Sequence, residues 1–302
     1  MTQDKHIPQG LNAWLDRIRD QEMPIFGHTA EWIRELTDSD KAAVSELANA
    51  ILHDPGMTAK LLRIANSVIF NTTGYQITTV SRAIVMLGFD MVRQVALSVA
   101  FVDAFLKGPV RERVLREMAR SFHAAVQARW LAVKRHDAQP EEVFIAALLF
   151  RFGELAFWCC AGEAGEELDR ALQADPRYPG DVEQAVVGFR LRQLTSALAG
   201  EWRVSPVLQA VLKGGYPRQS REQGVVIAYR LAEGVETGWD SDRARARMKE
   251  VAEYLKVPLD EIVVQMAANA ADAARIAEEF GAVAAVPFLP EAPAEPEDAA
   301  EE

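Results

Sequence analysis

Apolar residues recur at intervals of three and four along most of the chain, the pattern of helices that bury one stripe. Val44, Leu47, Ala48, Ile51 and Leu52 share such a face within 41–52. Asp54-Pro55 reads as a helix start, because Asp accepts a bond from a first-turn amide and Pro at the first position has no N–H to leave unpaired. The helix that follows turns Leu61, Leu62, Ile64 and Ala65 inward. Thr79 predicts the cap of another, with Ala83, Ile84 and Leu87 inward and Gly88 at its stop. Longer helical patterns cover 90–106 and 113–134. Shorter ones cover about 141–150, 153–160, 163–174, 181–188, 193–202 and 205–213, and three more occupy about 220–235, 243–256 and 259–281. Sustained period-two alternation is scarce, and its nearest instance, Ile77 to Val80, is too short to found a sheet. The pattern predicts an all-α protein. Pro109, after Lys107-Gly108, predicts a break between a first helical subdomain, 1–108, and a second, 109–286. In 287–302 proline recurs at Pro287, Pro290, Pro293 and Pro296, and six residues are acidic with none basic. That composition predicts a disordered acidic tail.

Composition narrows the function classes. The 302 residues, 49% hydrophobic and 25% charged, suffice for a core without disulfides or structural metal. The formal net charge of −11 repels phosphate backbones, so nucleic acid is not the expected partner unless a local basic stripe overrides it. Two such stripes exist. Lys107, Arg111, Arg113, Arg116 and Arg120 alternate with Glu112 and Glu117, and Arg243, Arg245, Arg247 and Lys249 lie between Asp242 and Glu250. They read as solvated helix faces with i,i+4 pairs such as Glu112–Arg116, or as a surface for an anionic partner. The only cysteines, Cys159 and Cys160, are adjacent, which excludes a disulfide framework and fits a reducing compartment. The N-terminus has no apolar leader, and the apolar stretches read as falling short of the ~20 residues that span a bilayer. The expectation is a cytoplasmic protein of bacterial character with no membrane partner.

Catalytic motifs are sparse. There is no Gly-x-Ser-x-Gly, no phosphate-binding loop and no Gly-x-Gly-x-x-Gly, and Lys213-Gly214-Gly215 reads as a helix exit. Cys159 and Cys160 sit in an apolar run without a base, as small hydrophobes rather than a nucleophile. Of five histidines, His53 and His136 each precede an aspartate, Asp54 and Asp137, but at a capping position and at a polar helix end. His123, among alanines, reads as a surface or hydrogen-bonded core residue rather than a metal ligand.

One stretch is specific. The run His53-Asp54-Pro55-Gly56-Met57-Thr58-Ala59-Lys60-Leu61-Leu62-Arg63-Ile64-Ala65-Asn66-Ser67 resembles the signature of the HDOD domain family. Ile77 to Gly88, with Ala83, Ile84 and Leu87, resembles that family's next motif. Leu11 to Leu36, around Met23-Pro24, is similar to its opening helices. Phe144 to Leu155 is similar to its Gly-Leu-Leu-His-Asp stretch, and Glu183 through Trp202 and Pro206 to its later helices. The resemblance covers about 9–215.

The resemblance implies a multi-helix HDOD fold with an HD-like C-terminal subdomain, related to metal-dependent HD phosphohydrolases but degenerate. The His-Asp pair of those enzymes would fall at Phe150-Arg151, the preceding histidine near Arg120, and later ligands near Leu191 and Gly214. A ring cannot ligate a metal, and Arg151 puts a cation where a dication would sit; His123 alone, displaced by three residues, rebuilds nothing. The expectation is therefore no enzyme activity, no metal and no cofactor. The function implied is a stand-alone regulatory protein of signal transduction, meeting bacterial signalling proteins in trans, with modulation by a small anionic ligand. Two other readings stay open, a divergent nucleotide phosphohydrolase and a nucleic-acid-associated regulator. The candidate contact residues are Arg63, Asn66, Ser67, Arg120 and Arg151. Asn66 and Ser67 either satisfy a helix end, with Arg63 within reach of it, or form an exposed contact or anion pocket. Arg120 and Arg151 either hold an anion together or pair with local acids such as Glu117 and Glu154.

Overall fold

The computed structural model describes residues 10–20, 47–48, 51–52, 55–72, 74–107, 112–175, 178–201 and 205–291. The helices are α1 (Leu11–Asp20), α2 (Pro55–Ala65), α3 (Val80–Leu87), α4 (Phe89–Lys107), α5 (Glu112–Lys134), α6 (Pro140–Leu148) and α7 (Phe152–Cys160). They continue with α8 (Glu163–Ala174), α9 (Pro179–Val187), α10 (Leu191–Glu201), α11 (Pro206–Lys213), α12 (Arg221–Gly234), α13 (Asp242–Leu255) and α14 (Val263–Glu279), and a 3-10 turn follows at Val283–Phe288. No strand occurs among the described residues.

The predicted start and stop signals work as local chemistry requires. Thr79 Oγ1 accepts the Arg82 N–H at 3.2 Å, and the Gly88 N–H closes α3 onto the Ile84 carbonyl at a φ of 88°. Ser205, Ser220 and Ser241 cap α11, α12 and α13 in the same way. Asp54, expected to cap α2, lies outside the described residues, as do the opening segment 21–46 and the subdomain break at 108–111. Leu47, Ala48 and Ile51 are buried as the pattern predicts, but Leu52, placed on the same face, is 53% exposed.

α5 is the centre of the molecule. It packs against α12, α6, α14, α7 and the 3-10 turn. One cluster of buried apolar side chains runs from Trp14 to Ala285. Rings stitch distant segments together: Trp14 meets Phe157 at 4.7 Å, Phe101 meets Phe152 at 5.3 Å, and Phe122 meets Phe280 at 5.5 Å. Such pairs add to the apolar area that drives folding.

Two sequence expectations need correction. Pro140–Cys160 is long and apolar enough, by length and composition, to cross a membrane, so the apolar stretches do not all fall short. The run is broken between α6 and α7 and is mostly buried inside the protein, where core helices of this composition belong. The acidic tail also starts later than residue 287. Phe288 and Leu289 pack on the core, Arg116 lies 5.3 Å from the Phe288 ring centre, and the Trp239 indole N–H donates to the Glu291 carbonyl at 2.9 Å. Apolar Phe288 and Leu289 override the prolines flanking them, because a 3-10 turn tolerates proline where an α-helix does not. Residues 292–302 lie outside the described ones.

Close packing of α7 on α10 depends on Gly153. A Cβ there would stand 2.5 Å from both the Cα and the backbone nitrogen of Thr195. Gly153→Ala is expected to destabilise the protein by about 1–3 kcal/mol, because the two backbones must separate. In an unobstructed helix the same change stabilises by up to ~1 kcal/mol. The sign of the shift in a urea unfolding midpoint decides between the two.

Candidate functional site

Arg120 and Arg151 come from different helices and meet over one ring. Arg120 is on α5, Arg151 immediately precedes α7, and Tyr229 of α12 lies between them, with guanidinium carbons 5.9 and 5.0 Å from its ring centre. Phe150 packs on the other part of the ring at 5.0 Å, and Ala124 and Ala232 complete a small apolar group around it.

Each arginine is held by carboxylates. Arg151 donates to Glu154 at 2.8 Å. Arg120 donates to Glu117 at 2.7 Å and to both oxygens of Glu236, at 2.5 and 3.0 Å. The Tyr229 hydroxyl donates to the second oxygen of Glu117. Of the two readings open in the sequence, an anion held by both arginines or pairing with local acids, the pairs with Glu117 and Glu154 are what the structure contains. Tyr229 and Glu236, more than a hundred residues away, carry no sequence signal that would have placed them here.

Burial and charge oppose each other in this cluster. Burial works against the charge on Arg120, but Glu117, Tyr229 and Glu236 more than compensate, so its pKa is raised. Arg151 is likewise raised, with Glu154 as the main compensating charge. Burial pushes Glu154 up to about 7, with Glu117 and Glu183 adding to the shift and Arg151 opposing it. Burial and the Glu117 carboxylate raise Tyr229, which keeps it a hydrogen-bond donor.

The donor set does not fit a metal. At the positions where the resemblance puts the His-Asp pair, Phe150 is a ring on a ring and Arg151 a cation in an ion pair. Leu191 is buried in the apolar core, and Gly214 ends α11. Among the described residues no three His, Cys, Asp or Glu side chains could hold an ion together. Burial pushes the Cys159 thiol up to about 12, against any role as a thiolate nucleophile.

His123 is fully enclosed on α5. Gln127 Nε2 donates to His123 Nε2 at 2.9 Å and to the Met266 carbonyl at 2.7 Å, and Asn269 donates to Gln127 Oε1 at 2.9 Å. With Nε2 accepting, the imidazole proton sits on Nδ1, which has no partner among the described residues. Burial alone pushes its pKa down to about 3. The expected hydrogen-bonded core residue is therefore the right description.

The motif residues near α2 do not converge on Arg120 and Arg151. Asn66 donates to the Leu62 and Ile77 carbonyls and accepts the Ile77 N–H, all at 2.7 Å. It closes the end of α2 and clamps the chain eleven residues later. Ser67 is buried, and its carbonyl accepts the Phe70 and Asn71 N–H groups. Neither offers an exposed pocket: the Asn66 amide is taken up by the turn, and the Ser67 hydroxyl is buried without a partner among the described residues. Arg63 remains exposed on α2, close enough to Glu279 of α14 to favour that carboxylate's charge.

The basic stripes are also paired. Arg113 bonds to Asp169 and stacks on Trp158, its guanidinium carbon 4.1 Å from the ring centre, and Arg116 bonds to Glu112 at 2.6 Å. Arg243, Arg245 and Arg247 pair with Glu233, Asp242 and Glu250 at 2.9 to 3.1 Å. Arg111 and the Lys107 side chain lie outside the described residues.

Two measurements follow. Tyr229→Phe leaves the buried Glu117 carboxylate with one donor fewer and is expected to cost about 1–3 kcal/mol in urea unfolding. A loss below ~0.5 kcal/mol would mean the hydroxyl contributes nothing there. His123 has a folded pKa below its ordinary 6.5, so the unfolded chain binds more protons between 6.5 and about 3. Its contribution is held above pH 6.5 and lost as pH falls. Glu154 acts oppositely: its contribution is present below about 4.5 and lost as pH rises through 7. Comparing wild type with His123→Gln isolates the imidazole. Between pH 7.5 and 4.5 the stability difference should move by about 3 kcal/mol in favour of the variant, and a constant difference would overturn the assignment.

Comparison with known proteins agrees with the fold. The HDOD domain model matches residues 23–214. A search of the curated proteins finds no match. Among solved structures, the chain is similar to a provisionally assigned phosphohydrolase from Shewanella amazonensis at 19% identity and a TM-score of 0.60, covering 90% of this chain and 97% of that one. It is similar to an HDOD domain protein of unknown function from Geobacter sulfurreducens at 21% identity and a TM-score of 0.58, covering 91% and 98%. A third likeness is to a provisionally assigned signal transduction protein from Marinobacter aquaeolei, at 18% identity and a TM-score of 0.56, covering 90% of this chain and 65% of that one. At these identities the likenesses speak for the fold. Because the family model covers more than half of the sequence and includes the motif helix α2 and its Asn66 clamp, this chain belongs to the HDOD family.

Proposed function

We propose that this protein is a regulatory module of bacterial signal transduction, without hydrolase activity, that works in the cytoplasm through contacts with signalling proteins in trans. The observation that carries the reading is the use made of residues 150 and 151. The Phe150 ring fills space against Tyr229, and the Arg151 guanidinium is spent on Glu154. Rebuilding a dimetal site would require displacing a ring, a cation and their partners together. The Marinobacter relative's assignment to signal transduction is in keeping with this role.

Modulation by a small anion would act at Arg120. Glu236 is its outer partner, with a side chain 26% exposed against 11% for Glu117. An anion would enter by replacing Glu236. Nucleic acid is disfavoured, because the arginines of both described stripes already have acidic neighbours.

The test is metal content of the purified protein together with phosphatase and phosphodiesterase assays in Mn²⁺ or Mg²⁺. No stoichiometric metal and no turnover on nucleotides are expected. Stoichiometric metal with turnover that is lost in Glu117→Gln or Glu154→Gln would overturn the reading in favour of a divergent phosphohydrolase. Retention on DNA that weakens steeply with salt would instead favour the nucleic-acid regulator.

A further inference from the structure

A cavity of about 180 Å3 opens between the turn after α2, the second half of α5 and α14. It is separate from the Arg120–Arg151 cluster: Trp130 in its wall lies ten residues beyond Arg120 on α5, ~15 Å along the helix axis. Three features of its lining define what would fill it.

The walls are apolar. Val68, Val126 and Val133 face it together with Trp130, and Val68 and Val133 are 62% and 46% exposed. Open apolar surface of this kind gains by being covered. The charges are already matched. Arg129 pairs with Glu141 at 3.3 Å and donates to the Ile69 carbonyl at 2.8 Å, and Arg275 pairs with Asp272 at 2.9 Å. No uncompensated charge waits for an ion. The remaining polar groups are amides. Gln265 Nε2 donates to Asn269 Oδ1 at 3.0 Å, which leaves Gln265 Oε1 and its second N–H as an adjacent acceptor and donor. Besides these, the indole N–H of Trp130 and Arg129 Nε, on two further lining residues, are buried without a partner among the described residues. An acceptor that reached them would gain a bond without further desolvation of the donor.

Size sets the last limit. A cavity of ~150 Å3 takes a benzene ring, so this one takes a single flat ring system and not a peptide or a whole nucleotide. We infer that the groove between α5 and α14 is a binding site for a neutral planar heterocycle with adjacent donor and acceptor atoms, the chemistry of a nucleobase edge. The base inserts between the valines and Trp130, and its polar edge meets the Gln265 amide. A sugar or phosphate attached to it stays outside, towards Arg275. The bound ring ties the turn after the family signature to α14, which joins the early helices to the last long one.

The inference is independent of the proposed function, since it uses none of the residues around Tyr229. The test is calorimetric and NMR titration of the full chain with adenine, cytosine and uracil, each as free base, nucleoside and monophosphate. Saturable one-to-one binding of at least one base is expected, with shifts at Trp130 and Gln265. Similar affinity for the base and its nucleotide would assign recognition to the ring. A gain of more than tenfold with the monophosphate would place the main contact on the phosphate and overturn the inference. Gln265 is exposed on α14, so Gln265→Ala leaves the core intact and should weaken binding at least tenfold with an unchanged unfolding midpoint. Val133→Glu, also at an exposed position, should close the groove to the ring. No saturable binding at millimolar ligand, or binding untouched by both substitutions, would also overturn it.

Discussion

Much of the described fold is arranged around a helix that is both central and polar. α5 is enclosed by α6, α7, α12, α14 and the 3-10 turn, yet it carries Glu117, Arg120, His123 and Gln127 into the interior. A buried polar group without a partner costs more free energy than most single contacts return. The helices around α5 must therefore supply partners as well as apolar surface. α12 sends Tyr229 to Glu117, the segment after it sends Glu236 to Arg120, and α14 sends the Met266 carbonyl and Asn269 to Gln127. This requirement fixes which helices can lie next to α5 and in what register.

The same demand for partners organises the charges around Tyr229. Here two guanidinium groups bring positive charge to the region, and Glu117, Glu154 and Glu236 balance them. The ring of Phe150 and the ring of Tyr229 occupy the space between. A network of this kind is costly to enter from outside, because any incoming group must break existing charge-assisted bonds. It favours a rigid interior and leaves recognition to the periphery, where α2, α5 and α14 leave a groove with unused amide groups.

How much was legible in the sequence depends on the range of the interaction. Helix positions came from apolar spacing and local caps. Thr79 marks the start of α3 as expected, and the last three helices fall within a few residues of their predicted spans, because a side chain three or four residues away decides them. The pairs Glu117–Arg120 and Arg151–Glu154 were legible for the same reason. Tyr229, Glu236 and Asn269 were not, since each reaches its partner across more than a hundred residues. The folded stretch 287–291 was masked by its prolines and acids, although Phe288 and Leu289 have apolar partners that only the assembled core provides. Leu52 errs in the other direction: spacing put it inward, but no described element covers it.

The sequence by itself determined the helices, their caps and the family signature at 53–67. These are matters of residue identity and of neighbours within a turn or two. The tertiary structure alone decided that Arg120 and Arg151 share one tyrosine, that His123 is sealed and neutral, that Asn66 is a clamp rather than a contact, and that a groove lies beside Trp130. Those outcomes depend on which faces meet when the helices pack. The meeting is set by the summed demand of a buried polar helix for partners, a quantity that no local stretch of sequence contains.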